Sequence, residues 1–419
     1  MGGKASILMI LGFNLIFMIA GYNYSRMIGT AIENEVEYID LNIAHNISVS
    51  GANMAANRIF LSKTWTTGYD ETPLFGGTLT VEVENSGLNK IITSTGTYKS
   101  KTSVVRVELK PSYYSKFGNF YETMSAYPAT GDTFNGPFHV NGTFTTYGTP
   151  VFNGKATSKL GLNLQGTPKA PKFHGGHESG IDIPLDFDTT GMRQAAANNG
   201  KILKDTTNTG KDINVELVFN ADATVTWRYS KNDGLNVWTA PKTVGISTFA
   251  PNGLIYVEKG NIFVKGTVSG QVSIVSSARG STKSGFVYQT DDIVYEDDPR
   301  INPASTDILG IIAEKDIRLL KNADTQGQNI ITQASMFSKN GNIGPEDALI
   351  NYAFLGSWQI LGGMIGKTTR QTAKYGTVGG KTVPIQGYML VHTYDERFLT
   401  FVPPNFPNTR MYEVVSWLE

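Results

Sequence analysis

Apolar and polar positions divide the chain into two regimes. From Ala5 to Ser25 no side chain is charged, and Lys4 and Arg26 bracket the run. At a rise of 1.5 Å per residue this run reaches about 30 Å, the thickness of bilayer hydrocarbon. Asn14 and Asn23 are its strongly polar interruptions. A cleaved signal peptide is the alternative, but its apolar region is shorter, about 7–15 residues, and ends at a small-residue cleavage site. Here the run continues without proline into an amphipathic pattern. Ile28, Ile32, Val36, Ile39, Ile43 and Ile47 recur at steps of three and four, which places them on one helical face. Glu33, Glu37 and Asp40 fall off that stripe. The spacing predicts one helix from about residue 4 to about residue 60, with Gly21 and Gly29 as its weakest points.

Beyond the helix the period changes to two. Leu79–Asn85 and Val104–Leu109 alternate apolar with polar residues, and Ile91–Tyr98 does so more weakly; glycine and asparagine at 76, 77, 85 and 87 supply turns. These predict a small antiparallel meander. From Asp132 onward, apolar beats of three to five residues are separated by glycine or asparagine, as in FNGPFHVNGTFTTYGTPVFNGKAT and NGLIYVEKGNIFVKGTVSGQVSIVSSARG. Units too short to bury an inner face alone must stack on their neighbours, which predicts a parallel β-helix with Ile255, Val257, Ile262, Val264, Val272 and Ile274 inward. A β-sandwich is the alternative.

The expected fold is therefore mostly β with one long N-terminal α-helix, a small antiparallel sheet and a parallel β-helix. The expected division is 1–60 for the helix, 61–127 for the small sheet, 128–350 for the β-helix and 351–419 for a C-terminal β segment docked on it. Residues 182–248 read as an insertion, with a helix at Thr190–Asn198 and strands at Val215–Phe219 and Thr224–Tyr229. Near the C-terminus, Pro403, Pro404 and Pro407 exclude regular structure, while Tyr388–His392 and Tyr412–Trp417 read as strands.

Composition narrows the chemistry. Lys plus Arg (36) equals Asp plus Glu (36), and no basic cluster accompanies the aromatics, so nucleic acid is not an expected partner. With no cysteine, disulfides, thiolate metal sites and a cysteine nucleophile are excluded. His174 and His177, with Glu178 and Asp182 nearby, could supply metal ligands, although a solvated loop explains them more simply. Asp291, Asp292, Glu296, Asp297 and Asp298 offer hard oxygens for calcium but lack the EF-hand spacing; the four aspartates are weak candidates only. Asp395 and Glu396 could form a carboxylate pair, against a structural pairing of Glu396 with Arg397. Tyr113, Tyr114, Phe117, Phe120 and Tyr121 could stack on sugars or nucleobases, although a place in the core or in a subunit contact explains them more simply. No P-loop, dinucleotide fingerprint or G-x-S-x-G elbow is present, so neither a cofactor nor an enzymatic activity is expected.

The stretch GFNLIF at 12–17, heading the long helix, resembles the prepilin motif of type IV pilins, in which phenylalanine, a short apolar run and a glutamate follow the glycine. Phe13, Leu15 and Ile16 match, and Phe17 stands at the glutamate position. Cleavage after Gly12 would leave about a dozen residues before Arg26, too few to cross a bilayer, so cleavage after Gly3 or none is expected. AHNISVSGANMAANRIF is similar to the alanine-rich region after the apolar helix in PilX-like minor pilins. The β beats and the ending YDERFLTFVPPNFPNTRMYEVVSW look like large pilin-like bacterial envelope proteins. The resemblance covers most of the chain and implies export, insertion in the inner membrane, and assembly with identical or homologous subunits by export and assembly machinery. The product would be a surface or extracellular filament. The assembly helix would use Ile7, Leu8, Ile10, Leu11, Phe13, Leu15, Ile16, Phe17, Ile19, Ile28, Ile32, Val36, Ile39, Ile43 and Ile47. The alternatives are a membrane-tethered adhesive or carbohydrate-binding β-helix and, behind it, a tethered polysaccharide-active enzyme.

Overall fold

The computed structural model describes residues 2–185, 189–207, 210–231, 235, 237–379 and 381–419. It divides into two compact units, residues 1–112 with 410–419, and residues 113–409.

In the first unit, helix α1 runs unbroken from Gly2 to Leu61. No proline interrupts it, and Gly21 and Gly29 do not break it. The strands Tyr69–Leu74, Gly77–Ser86, Asn89–Tyr98 and Lys101–Tyr113 follow as successive antiparallel hairpins. The last strand of the chain, Asn408–Leu418, takes the sheet edge beside Lys101–Tyr113. It therefore lies in this sheet, whereas sequence grouped it with the segment 351–419.

The helix meets the sheet along Ala44, Ile47, Ser48, Gly51, Ala52, Ala55 and Ile59, all buried and recurring at steps of one, three and four that keep them on one helical face. Small residues dominate because the backbones come close. A Cβ on Gly96 of the sheet would stand 2.2 Å from the Ala44 carbonyl oxygen and 2.6 Å from the Ser48 nitrogen. One turn along, a Cβ on Gly51 would meet the Leu79 side chain at 2.2 Å. The Ser94 hydroxyl donates to the Ser48 carbonyl at 2.7 Å, fixing the register of helix on strand. Leu79, Val81, Ile92, Val105, Val107 and Leu109 complete this core. Each such aliphatic side chain contributes about 1.5–3 kcal/mol on full burial.

The second unit is a parallel stack of coils. Residues Ile202, Tyr256, Val275, Ile312, Phe337, Ile365, Phe120, His139, Thr157 and Glu178 form one column, each paired in parallel register with the next. At about 4.8 Å per step the column is about 43 Å long. The parallel pairings through 253–317 exclude the sandwich alternative, because its two sheets would be antiparallel. Ile255, Val257, Ile262, Val264, Val272 and Ile274 are buried, as the beats predict.

Order in space differs from order in sequence. The chain enters the stack in its middle at Asn119–Thr123 and winds outward to His177–Ser179. The chain touches the stack near that end at Ile183, whose N–H donates to Asn141 Oδ1 at 3.0 Å, and near the other end at helix α2 (Thr189–Asn199), whose Arg193 pairs with Glu258 at 2.5 Å. It then starts again at the opposite end and winds inward to Gly356–Thr368, beside its point of entry. Within 182–248, read from sequence as an insertion, Ile213–Asn220 pairs in parallel with Gly260–Val268, so this strand is a rung of the stack. Its alternating Ile213, Val215, Leu217 and Phe219 are all inward and buried.

Candidate functional site: the exposed apolar helix

From Gly3 to Ile39 every residue of α1 is exposed. Ile7, Leu8, Ile10, Leu11, Phe13, Leu15, Ile16, Phe17 and Ile19 are each 51–72% exposed. The amphipathic stripe continues this exposure through Ile28, Ile32, Val36 and Ile39. Only at Ile43, half-buried, and Ile47, fully buried, does the stripe reach the sheet. The handover is fixed electrostatically at the hairpin tip, where Lys99 pairs with Asp40 at 2.8 Å and Lys101 with Glu37 at 3.1 Å. α1 is long and apolar enough to cross a membrane, with a mean hydropathy of 2.0 in its most apolar window. So large an apolar surface is unfavourable in water and requires lipid or other protein as its surroundings.

Sequence reasoning read the isoleucine stripe but missed the seam that follows it. Its signal, small residues at helical spacing in AHNISVSGANMAANRIF, is in plain view.

The other candidates are each engaged by neighbours. His174 Nδ1 lies 3.0 Å from Asn153 Oδ1, whereas His177 Nε2 lies 3.0 Å from the Ser158 hydroxyl. Glu178 pairs with Lys155 and Asp182 with Lys159. Asp291 accepts from the Asp292 N–H, Asp292 from the Ile331 N–H at 2.7 Å, and Asp297 from the Asn302 amide at 2.8 Å. Burial raises the Asp292 carboxyl above its ordinary range. Asp298 binds Arg300 and accepts from Gln333 at 2.9 Å; the Arg300 hydrogen bonds hold its carboxyl down at about 2. Among the described residues, no group of three or more His, Asp or Glu gathers as a metal site would require.

Arg397 is paired with Asp395, at 2.7 Å, and not with Glu396. The Asp395 side chain also accepts from the Arg397 backbone N–H, because it caps the short helix Glu396–Leu399. Tyr114, Phe117, Phe120 and Tyr121 are buried, with Tyr114 and Phe120 edge to face at 5.1 Å. A buried histidine escaped the sequence reading. His139 lies 2.7 Å from the Thr157 hydroxyl and 2.8 Å from Asn141 Oδ1, and burial lowers its pKa.

No family model matches the chain, and no curated protein matches it. Among solved structures it is similar to the competence-associated pilin ComZ from Thermus thermophilus, at 10% identity over 90% of this chain and 97% of that one. The TM-score is 0.29, a superposition too loose to argue from.

Proposed function

We propose that this chain is a structural subunit of a type IV pilus-like filament, held in the inner membrane by α1 before assembly and carried to the cell surface within the filament. One observation supports this reading above all: the apolar surface of α1 does not stop where a bilayer would. A tether needs only Ala5–Ser25, about 30 Å of helix. The exposed stripe from Ile28 to Ile39 extends it by a further 20 Å or so, with Glu33 and Glu37 off the stripe. Such a surface suits packing against the same helix of neighbouring subunits. Burying even half of the large apolar side chains of Ala5–Ser25 gives a gross stabilisation of order 10 kcal/mol per subunit in water. Association and ordering costs offset much of it. No enzymatic step belongs to this reading.

A second reading, a tethered carbohydrate-binding protein, draws on a polar cavity of about 350 Å³ lined by Ser125, Asn342, Asp347, Thr369, Arg370 and Lys374. Hydroxyl, amide and charged groups of this mixture suit sugar hydroxyls.

The test is Ile16→Asp in the full chain, with negative-stain microscopy of surface material. An unpaired charge in a shared helical core should abolish filaments while the β units stay folded. Filaments like those of the wild type would overturn the proposal, and a wild type that never forms them would favour the tether.

A further inference from the structure

The two ends of the coil stack are finished differently. At one end the rung Ile213–Asn220 is covered by the antiparallel hairpin partner Thr224–Lys231 and by Ile246 and Phe249. Its inner residues Val215, Leu217 and Phe219 are 0–2% exposed, although among the described residues no further coil lies beyond them. At the other end the last coil carries the strands Leu162–Gln165, Lys172–Phe173 and His177–Ser179. Each pairs with the preceding coil only, among the described residues. Leu162 stacks in register on Phe144, which is fully buried, yet Leu162 itself is 41% exposed. It extends a core column and, among the described residues, has no coil over it. Terminal repeats of solenoids ordinarily require a polar cap.

The surface left open is one that this chain already uses against itself. Phe134, Phe152 and Phe173 stack ring on ring at 5.2 and 4.9 Å, interplanar angles 11° and 13°. Asn135, Asn153 and His174, one position on, are linked side chain to side chain at 2.8 and 3.0 Å. The glycines after them, Gly136, Gly154 and Gly175, touch backbone to backbone, because a Cβ on Gly154 or Gly175 would stand 2.4 Å from the glycine before it. Phe173, His174 and Gly175 offer the same face again, with no coil upon it among the described residues.

Of the three free edges, Lys172 and Glu178 charge two, as edges that avoid association commonly are. The third, Leu162-Asn163-Leu164, carries no charge and reads identically in both directions about Asn163. Antiparallel pairing of this strand with its own copy would set Leu162 opposite Leu164 of the second chain and Asn163 opposite Asn163, covering both exposed ends at once. We infer that this end of the coil stack is a self-association surface, occupied by the same end of a second copy of this chain through two-fold pairing of Leu162–Gln165. The surface belongs to the second unit, and the inference is independent of the filament reading.

The chain has no cysteine, so one introduced thiol reports alone. Residues directly opposite in an antiparallel pair have Cβ atoms about 4.5–5.5 Å apart, close to what a disulfide spans. The full chain in mild detergent, carrying Asn163→Cys, should oxidise to a covalent dimer. It should do so on the order of tenfold or more faster than Ala221→Cys at the capped end. Adding Leu162→Lys, at an exposed position, should return it to the control rate with an unchanged circular dichroism spectrum. Equal rates for Asn163→Cys and Ala221→Cys would overturn the inference, as would dimerisation that Leu162→Lys leaves intact.

Discussion

Gly96→Ala is the smallest change that tests how α1 is held. The added methyl would stand 2.2 Å from the Ala44 carbonyl oxygen, 2.6 Å from the Ser48 nitrogen and 2.9 Å from the Ile47 Cβ. Two of the three are helix backbone, so no side-chain rotation relieves the contact. The helix must lift from the strand, which strains the packing of Ile47 and lengthens the Ser94–Ser48 hydrogen bond, now 2.7 Å. Overpacking of this kind costs about 1–3 kcal/mol and loss of the hydrogen bond about 0.5–1.5 kcal/mol, together about 2–4 kcal/mol. Ser94→Ala removes the same hydrogen bond without any clash and should cost about 1 kcal/mol. Hydrogen exchange of the Asn89–Tyr98 amides reads the difference: protection should fall about 30- to 700-fold in Gly96→Ala and about fivefold in Ser94→Ala. If Gly96→Ala costs no more than Ser94→Ala, close backbone approach is not what seats the helix.

Three further outcomes follow from the coil stack. Gly154→Ala places a methyl 2.4 Å from the Gly136 carbonyl oxygen of the preceding coil and should cost about 1–3 kcal/mol, read as faster exchange in Phe138–Val140 and Ala156–Ser158. Asp395→Ala strips the partner from Arg397, whose side chain is 14% exposed, and should destabilise by about 3–5 kcal/mol in urea unfolding; Asp395→Leu with Arg397→Met should recover most of that loss. The Asp298 carboxyl, held at about 2, lies below its unfolded value of about 3.9. Its contribution is therefore present above pH 4 and lost as pH falls through about 2. The stability gap between wild type and Asp298→Asn should shrink over that window; a gap unchanged from pH 5 to pH 2 would contradict the assignment.

Each element was legible to the extent that its signal is local. α1 could be read because a helix declares itself by an unbroken period and the lack of proline, and the hairpins from Gly77 to Tyr113 because their strands alternate and pair with the next segment along. Parallel stacking could be read from the length of the beats. The order of the rungs could not. Ile365 neighbours Phe120, and nothing in either segment names a partner so distant in sequence. The same limit explains residues 182–248. Val215, Leu217 and Phe219 have the alternation of any half-buried strand, and only the parallel partner Ile262–Gly266 makes that strand a rung. One signal was available and unread: phenylalanine, then asparagine or histidine, then glycine, at 134, 152 and 173. The interval of 18 and then 21 residues is the length of one coil, and the repeated glycine records where successive backbones touch.

The apolar helix shows the converse case, a pattern that is legible while its partner is not. Ile28 to Ile47 is one uninterrupted stripe in the sequence, yet the chain covers only its last members. The change of composition marks the handover. Up to Ile39 the stripe is built from large β-branched residues, which suit a surface met by other large side chains. From Ala44 small residues come to dominate it, Ala44, Ser48, Gly51, Ala52 and Ala55 beside the buried Ile47 and Ile59, which suits close approach to a sheet already in the same chain. Residue size along one helical face thus separates the part that α1 keeps for its own sheet from the part that it leaves for surroundings outside the chain. Exchanging the two classes tests this division directly. Ala52→Ile should unseat the helix from its sheet, whereas Ile32→Ala should leave the monomer's stability within about 0.5 kcal/mol, since Ile32 is 56% exposed. If Ile32→Ala destabilises the isolated subunit by more than that, the exposed stripe has a partner within its own chain, and the case for an external one is lost.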